Sequence, residues 1–194
     1  MISRGWNEVP NGRLFWMPDF ISADEAQSLF LALRQDVEWR QDHIQLFGKS
    51  HPIPRLQAWY GEKPYRYSNL LMSPKPWLPL LLTLKQRCEQ VAHSEFNSVL
   101  VNLYRDGKDS NSWHSDNEPE LGEKPTIASL SLGEARTFHL KHKKTKQKIT
   151  LELTPGSLLI MSDDTQRYWQ HYVPKTRLVK QERINLTFRY VYES

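Results

Sequence analysis

The chain has 194 residues, weighs 22.9 kDa and carries a formal net charge of +4 with a pI of about 9.1. That length predicts a single domain with a sizeable core, and 39% hydrophobic with 25% charged residues excludes a disordered chain. A single cysteine, Cys88, excludes a disulfide framework and any multi-cysteine metal site, and fits a reducing compartment. No uncharged run approaches the ~18 residues of a membrane span. The first ten residues hold Arg4 and Glu8 and no apolar run, so no signal peptide is expected. A monomer in the cytoplasm, or in the nucleus of a eukaryotic cell, is expected, with no membrane partner. The basic balance permits a polyanionic partner. Seven Trp and eight Tyr offer flat rings on which bases stack.

Prolines from Pro10 to Pro79 divide the first half into short elements. Ser22 followed by Glu25 has capping-box spacing, and Leu29, Phe30 and Leu33 recur at helical spacing to about Val37. A second helix is predicted from Pro79 to Val91 through Leu80, Leu81, Leu84 and Cys88. After Glu95 the texture becomes that of strands: 96–104, 127–132, 136–141, 149–153, 157–161 and 184–192. Helices first and short strands after predict an α+β fold with an antiparallel sandwich or barrel. Lys141 to Lys148 is a basic tip between two strands, either a solvated turn or a patch that contacts phosphates through Lys141, Lys143, Lys144 and Lys146.

His114 and Asp116 are two residues apart, so on a strand both point to one face and can reach one ion. His171, in Trp169-Gln170-His171, is the natural third ligand. Two imidazoles and a carboxylate on one side of a metal leave the opposite positions open, the facial arrangement of non-haem Fe(II) oxygenases; a zinc hydrolase uses the same ligand types. Arg183, Asn185, Thr187 and Arg189 alternate with Ile184, Leu186 and Phe188. Two guanidiniums on an inward face are costly unless they meet anions, and a dicarboxylate supplies two, each matched to the planar fork of arginine. Asn102 and Tyr104 share a face upstream. The competing reading is that both arginines face solvent and pair with surface acids.

The blocks FNSVLVNLYRDGKDSNSWHSDNEPELG (96–122), IASLSLGEARTF (127–138), GSLLIM (156–161), WQH (169–171) and RINLTFR (183–189) together resemble the AlkB family of Fe(II)/2-oxoglutarate dioxygenases. The likeness extends upstream through PRLQAWYG (54–61), YRYS (65–68) and SPKPW (73–77), and covers about residues 45–192. It implies a double-stranded β-helix (jelly-roll) core over about 96–194. Helices and a nucleotide-recognition lid would occupy about 1–95. It further implies Fe(II) on His114, Asp116 and His171, and 2-oxoglutarate held by Asn102, Tyr104, Arg183 and Arg189 with Asn185 lining the pocket. One arginine would meet the distal carboxylate and the other would lie near the iron-chelating end. The implied activity is O2-dependent removal of N-methyl groups from 1-methyladenine and 3-methylcytosine in DNA, single- or double-stranded, and in RNA. The products would be succinate, CO2 and formaldehyde. Tyr60, Tyr65 and Glu118 match base-contacting positions. Where many relatives carry Asp after the metal aspartate, this chain has Asn117, which cannot neutralise a cationic base. WHSDNEPELG looks most like the single-strand branch, whereas Leu46-Phe47-Gly48-Lys49 resembles the hairpin with which the duplex branch wedges a phenylalanine into the stack. The rival reading is a same-fold oxygenase acting on a protein or a small molecule, which would need no lid blocks.

Overall fold

A computed structural model describes residues 2–46, 48–67 and 70–192. The elements are β1 (Gly5–Val9), β2 (Gly12–Met17), α1 (Ala23–Asp36), β3 (His43–Leu46), β4 (Lys49–Pro52), β5 (Leu56–Gly61), β6 (Tyr65–Tyr67), β7 (Leu70–Met72), α2 (Pro79–Ala92), β8 (Ser98–Tyr104), β9 (Asn111–His114), β10 (Ile127–Gly133), β11 (Arg136–His142), β12 (Lys148–Leu153), β13 (Leu158–Ser162), the short α3 (Thr165–Tyr168), β14 (Trp169–Val173) and β15 (Arg183–Arg189). A seven-stranded antiparallel sheet runs β1-β2-β13-β10-β15-β8-β5, and a four-stranded one runs β12-β11-β14-β9. No helix among the described residues is long and apolar enough to cross a membrane.

Both faces of the large sheet are buried, and strand alternation divides its side chains between two cores. Val99, Val101 and Leu103 of β8 and Ile184, Leu186 and Phe188 of β15 meet Leu29 and Leu33 of α1 and Leu81, Leu84 and Cys88 of α2. Leu100 and Tyr104 of β8 face the other way, with Trp59, Leu159 and Met161, towards Phe138, Leu140 and Trp169 of the small sheet. Each fully buried Leu or Phe contributes roughly 1.5–3 kcal/mol, so the two cores hold the polar inner row of β15 between layers that cannot shift independently.

The helices fall where the periodicity places them. Ser22 caps α1 by accepting the Glu25 N–H at 3.4 Å. The capping box is only half formed, because the Glu25 carboxylate pairs with Arg87 of α2 instead of returning to the cap. Strands β1 and β2 were not anticipated, although the turn between them, with Asn11 at φ 55° and Val9 opposite Gly12, carries a hairpin signal in Pro10-Asn11-Gly12. β5 also departs from expectation. It lies in the stretch expected to form the lid, yet it is the edge strand of the large sheet, beside β8. β3 and β4 form a separate hairpin with Leu46 opposite Lys49; Phe47, expected as the wedge, lies outside the described residues.

Candidate metal centre and co-substrate pocket

His114 and His171 face each other on β9 and β14. β9 is the edge strand of the small sheet and ends at His114, so Asp116 lies just beyond the ladder and not on a strand as the spacing suggests. Side-chain tethers hold it instead: Ser115 Oγ donates to the Trp169 carbonyl at 2.7 Å, and the Asp116 N–H donates to Gln166 Oε1 at 2.9 Å. The candidate ligand atoms of His114, Asp116 and His171 all lie within 4.8 Å of one another. His171 Nε2 is 3.7 Å from Asp116 Oδ2.

The electrostatics favour ligation. Burial pushes the His171 imidazole down to about 3, aided by His114 beside it, and burial also lowers His114. Both rings are therefore neutral near pH 7, as metal ligands must be. Nδ1 of His114 meets the Ser112 carbonyl at 2.7 Å; a carbonyl only accepts, so the proton sits on Nδ1 and the lone pair on Nε2. For Asp116 burial is the largest influence and opposes ionisation, but the neighbouring basic groups together, the Arg189 guanidinium 3.2 Å away foremost, hold the carboxyl below its usual range. Two neutral imidazoles and an ionised carboxylate, each with a fixed orientation, fit a divalent transition metal with open positions.

Beside the triad lies a cleft with about 540 Å³ of empty space, counting the part open to solvent. Its floor is the inner row of β15 and its neighbours: Arg183 lies opposite Tyr104, and Asn185 lies between Asn102 and Ser131. Arg183 is 1% exposed. Its Nη2 donates to Ser131 Oγ at 2.9 Å, while Nε and Nη1 have no hydrogen-bond partner among the described residues. Burial pushes this guanidinium down to about 10, so it stays charged at neutral pH. A buried cation whose Nε and Nη1 make no hydrogen bond among the described residues, with the Tyr104 side chain as its other neighbour, ring centroid 5.0 Å away, favours an anion in the cleft, and the carboxylate of a 2-oxo diacid fits both the charge and the fork. The solvent-facing alternative for the arginines is therefore overturned.

The other expected residues divide. Asn185 lines the cleft, but its Nδ2 donates to Ser129 Oγ and the Leu130 carbonyl and its Oδ1 accepts from Thr187, so its amide donors are spent on the floor. Asn102 Oδ1 accepts from Arg55 Nε at 2.8 Å. Arg55, 3% exposed and lining the same cleft, was missed; an isolated arginine after a proline carries no pattern that marks it. Tyr65 is buried on the site side, stacked 4.7 Å from Trp59 and 5.3 Å from the Arg189 guanidinium. Glu118 is near it, with its carboxyl raised by burial and by the Asp116 charge. Tyr60 is not in the site. Adjacent strand residues face opposite ways, so Tyr60 enters the helix-side core, 1% exposed, and its hydroxyl accepts the Glu38 N–H. Trp59 takes the inward position. In the basic tip, Lys143 is already engaged: its Nζ donates to the carbonyls of Gln166 and Arg167, both at 3.0 Å.

A His/Asp/His cluster between two antiparallel sheets, with a buried arginine in the same cleft, is the arrangement expected of a 2-oxoglutarate-dependent Fe(II) oxygenase. Residues 13–189 match the 2OG-Fe(II) oxygenase superfamily. The chain is 46% identical over 190 residues to the alpha-ketoglutarate-dependent dioxygenase alkB homolog 3 of Mus musculus, a match covering 93% of this chain and 66% of that protein. It is 40% identical over 178 residues to the DNA oxidative demethylase ALKBH2 of Mus musculus, covering 85% and 74%. The solved structure of OsALKBH1 has the same fold, with a TM-score of 0.68 at 15% identity over 95% of this chain and 99% of that one. The chain thus belongs to the AlkB family of Fe(II)/2-oxoglutarate dioxygenases. It spans 66% and 64% of the length of the mouse and rat alkB homolog 3 proteins.

Proposed function

We propose that this chain oxidatively demethylates N-alkylated bases, 1-methyladenine and 3-methylcytosine, in DNA and also in RNA, acting as a monomer. The two facing sheets are read as the double-stranded β-helix, and the β3–β4 and β6–β7 hairpins as the nucleotide-recognition lid. The observation that carries the reading is the buried Arg183, whose Nε and Nη1 make no hydrogen bond among the described residues, in the same cleft as the His/Asp/His cluster.

With Fe(II), 2-oxoglutarate and O2 bound, the centre would supply the chemistry that hydroxylates an N-methyl carbon, with succinate and CO2 released and the hydroxymethyl group leaving as formaldehyde. The chain's own residues do the rest. His114, Asp116 and His171 would hold the metal. Arg183, steadied by its bond to Ser131 Oγ, would anchor the distal carboxylate of the 2-oxo acid. Arg189 keeps Asp116 ionised. The Trp59–Tyr65 stack closes the site-side wall, and Glu118 offers negative charge where a cationic base would enter, partly replacing what Asn117 lacks. A base must leave its stack to reach this centre. Succinate and formaldehyde released together, and only with a methylated oligonucleotide, are the expected result; equal succinate release with an unmethylated oligonucleotide would overturn the proposal.

Binding to duplex DNA should weaken with salt, with a slope of about −0.9 in log K against log salt for each phosphate neutralised. With Lys143 tied to the carbonyls of the α3 turn, the contacts fall to Lys141, Lys144 and Lys146, the last of which holds only an exposed local bond to the Lys143 carbonyl at 2.6 Å. Changing these three to glutamate is expected to flatten the slope measured by fluorescence anisotropy. An unaltered slope would move the phosphate contacts to Lys175, Arg177 and Lys180.

For Phe47, stacking of ~1–3 kcal/mol is available only where a base has left a duplex. Phe47→Ala should lower the duplex-to-single-strand rate ratio by roughly tenfold, since about 1.4 kcal/mol is one decade. Equal losses on both substrates would make the residue structural.

A further inference from the structure

Asp116 is the one triad member with no strand beneath it, and the side chain that holds its peptide lies fifty residues away. Gln166 is 1% exposed. Its Oε1 accepts the Asp116 N–H at 2.9 Å, and its Nε2 donates to Met161 Sδ at 3.5 Å. The α3 turn that carries Gln166 is in turn gripped from the basic hairpin: Lys143 Nζ donates to the carbonyls of Gln166 and Arg167, and the Lys143 N–H donates to the Tyr168 carbonyl at 2.7 Å. The far side of the Asp116 carboxylate is set by Arg189 at 3.2 Å. Two fixed points, one on the peptide and one on the carboxylate, leave the side chain one orientation.

We propose that Gln166 is a positioning residue for the metal ligand Asp116, clamped in place by Lys143 from the β11–β12 hairpin. The inference rests on reading the triad as the metal site. Losing the only described acceptor for a buried N–H beside a ligand frees the loop to sample positions in which the carboxylate misses the ion, and residues behind metal ligands typically govern affinity by 10–100-fold. Gln166→Met keeps the length and the burial but removes the acceptor. Gln166→Glu keeps an oxygen where the Asp116 N–H points.

The test is titration of the metal-free full chain with Co(II), followed by visible absorption, without nucleic acid, so that phosphate contacts of the hairpin play no part. Gln166→Met should bind Co(II) about tenfold more weakly than wild type, with Gln166→Glu recovering most of the loss. Lys143→Met, whose change lies at the half-buried rim, should weaken binding by roughly threefold and decides the matter if Gln166→Met fails to fold. A lowered melting temperature with wild-type Co(II) affinity and spectrum would make Gln166 merely structural and overturn the proposal, as would unchanged affinity in Lys143→Met. A wild-type chain that binds no Co(II) would remove the metal-site reading itself, an outcome distinct from the others.

Discussion

His171→Ala is expected to abolish turnover and to lower metal affinity by more than about a hundredfold, beyond the 10–100-fold associated with residues that only support a ligand. His171 sits on β14 with its ring 4.3 Å from that of His114 and 5.4 Å from Phe138, and is 5% exposed. No other His, Cys, Asp or Glu among the described residues joins the cluster, so nothing nearby substitutes for the lost nitrogen. Because alanine also leaves a cavity against Phe138, His171→Gln, which fills the space without an imidazole, should accompany it. Metal titration by calorimetry, alongside circular dichroism to confirm folding, reads the result. Near-normal metal affinity in both folded variants would refute the ligand assignment.

Arg183→Met should raise the apparent constant for 2-oxoglutarate by at least about tenfold, and as much as about a hundredfold, while leaving the co-substrate-free protein as stable as before or more so. The two halves of this expectation have one cause. Each charge-assisted hydrogen bond to a carboxylate contributes roughly 1.5–3 kcal/mol, and 1.4 kcal/mol is one decade. Without that carboxylate the guanidinium is a desolvated charge, and replacing such groups by apolar side chains of similar size is often neutral or stabilising by about 1–4 kcal/mol. A purely structural arginine would behave in the opposite way. Arg136 is the internal comparison: it is equally buried, but its N–H groups reach the carbonyls of Asp106, Asp109 and Pro174. Losing it should cost stability and leave the 2-oxoglutarate constant little changed. Thermal melts with and without 2-oxoglutarate, together with initial rates, separate the two. A destabilised Arg183→Met with an unaltered constant would sink the assignment.

Much of this site was legible from local pattern. The alternation of Arg183, Asn185, Thr187 and Arg189 depends only on backbone periodicity and gives one polar inner row in the folded chain, whereas the His114/Asp116 spacing named a pair that does cluster but for the wrong reason, since β9 ends at His114 and side-chain tethers bring Asp116 to the cluster. The capping signal at Ser22 and the apolar stripes of both helices are local in the same sense. Tyr60 was misassigned because a motif block says which residues are near a site but not which face of a strand each occupies, and a shift of one residue exchanges Trp59 for Tyr60. β2 was overlooked because its apolar run Leu14-Phe15-Trp16, buried on both faces, shows no alternation.

The sequence by itself determined the candidate ligand types, the family, the two long helices and most of the strands after residue 95, since these follow from residue identity, spacing and periodicity along the chain. Only the tertiary structure decided which charges are orphaned and which are satisfied. Arg136 and Arg183 are both buried arginines, and what separates a structural staple from a co-substrate anchor is whether carbonyls from other segments happen to lie within reach. The same holds for Gln166 and Asp116, fifty residues apart and joined by one hydrogen bond, and for Arg55 and Asn102. Such pairings are set by the register and facing of strands distant along the chain, which no local pattern encodes.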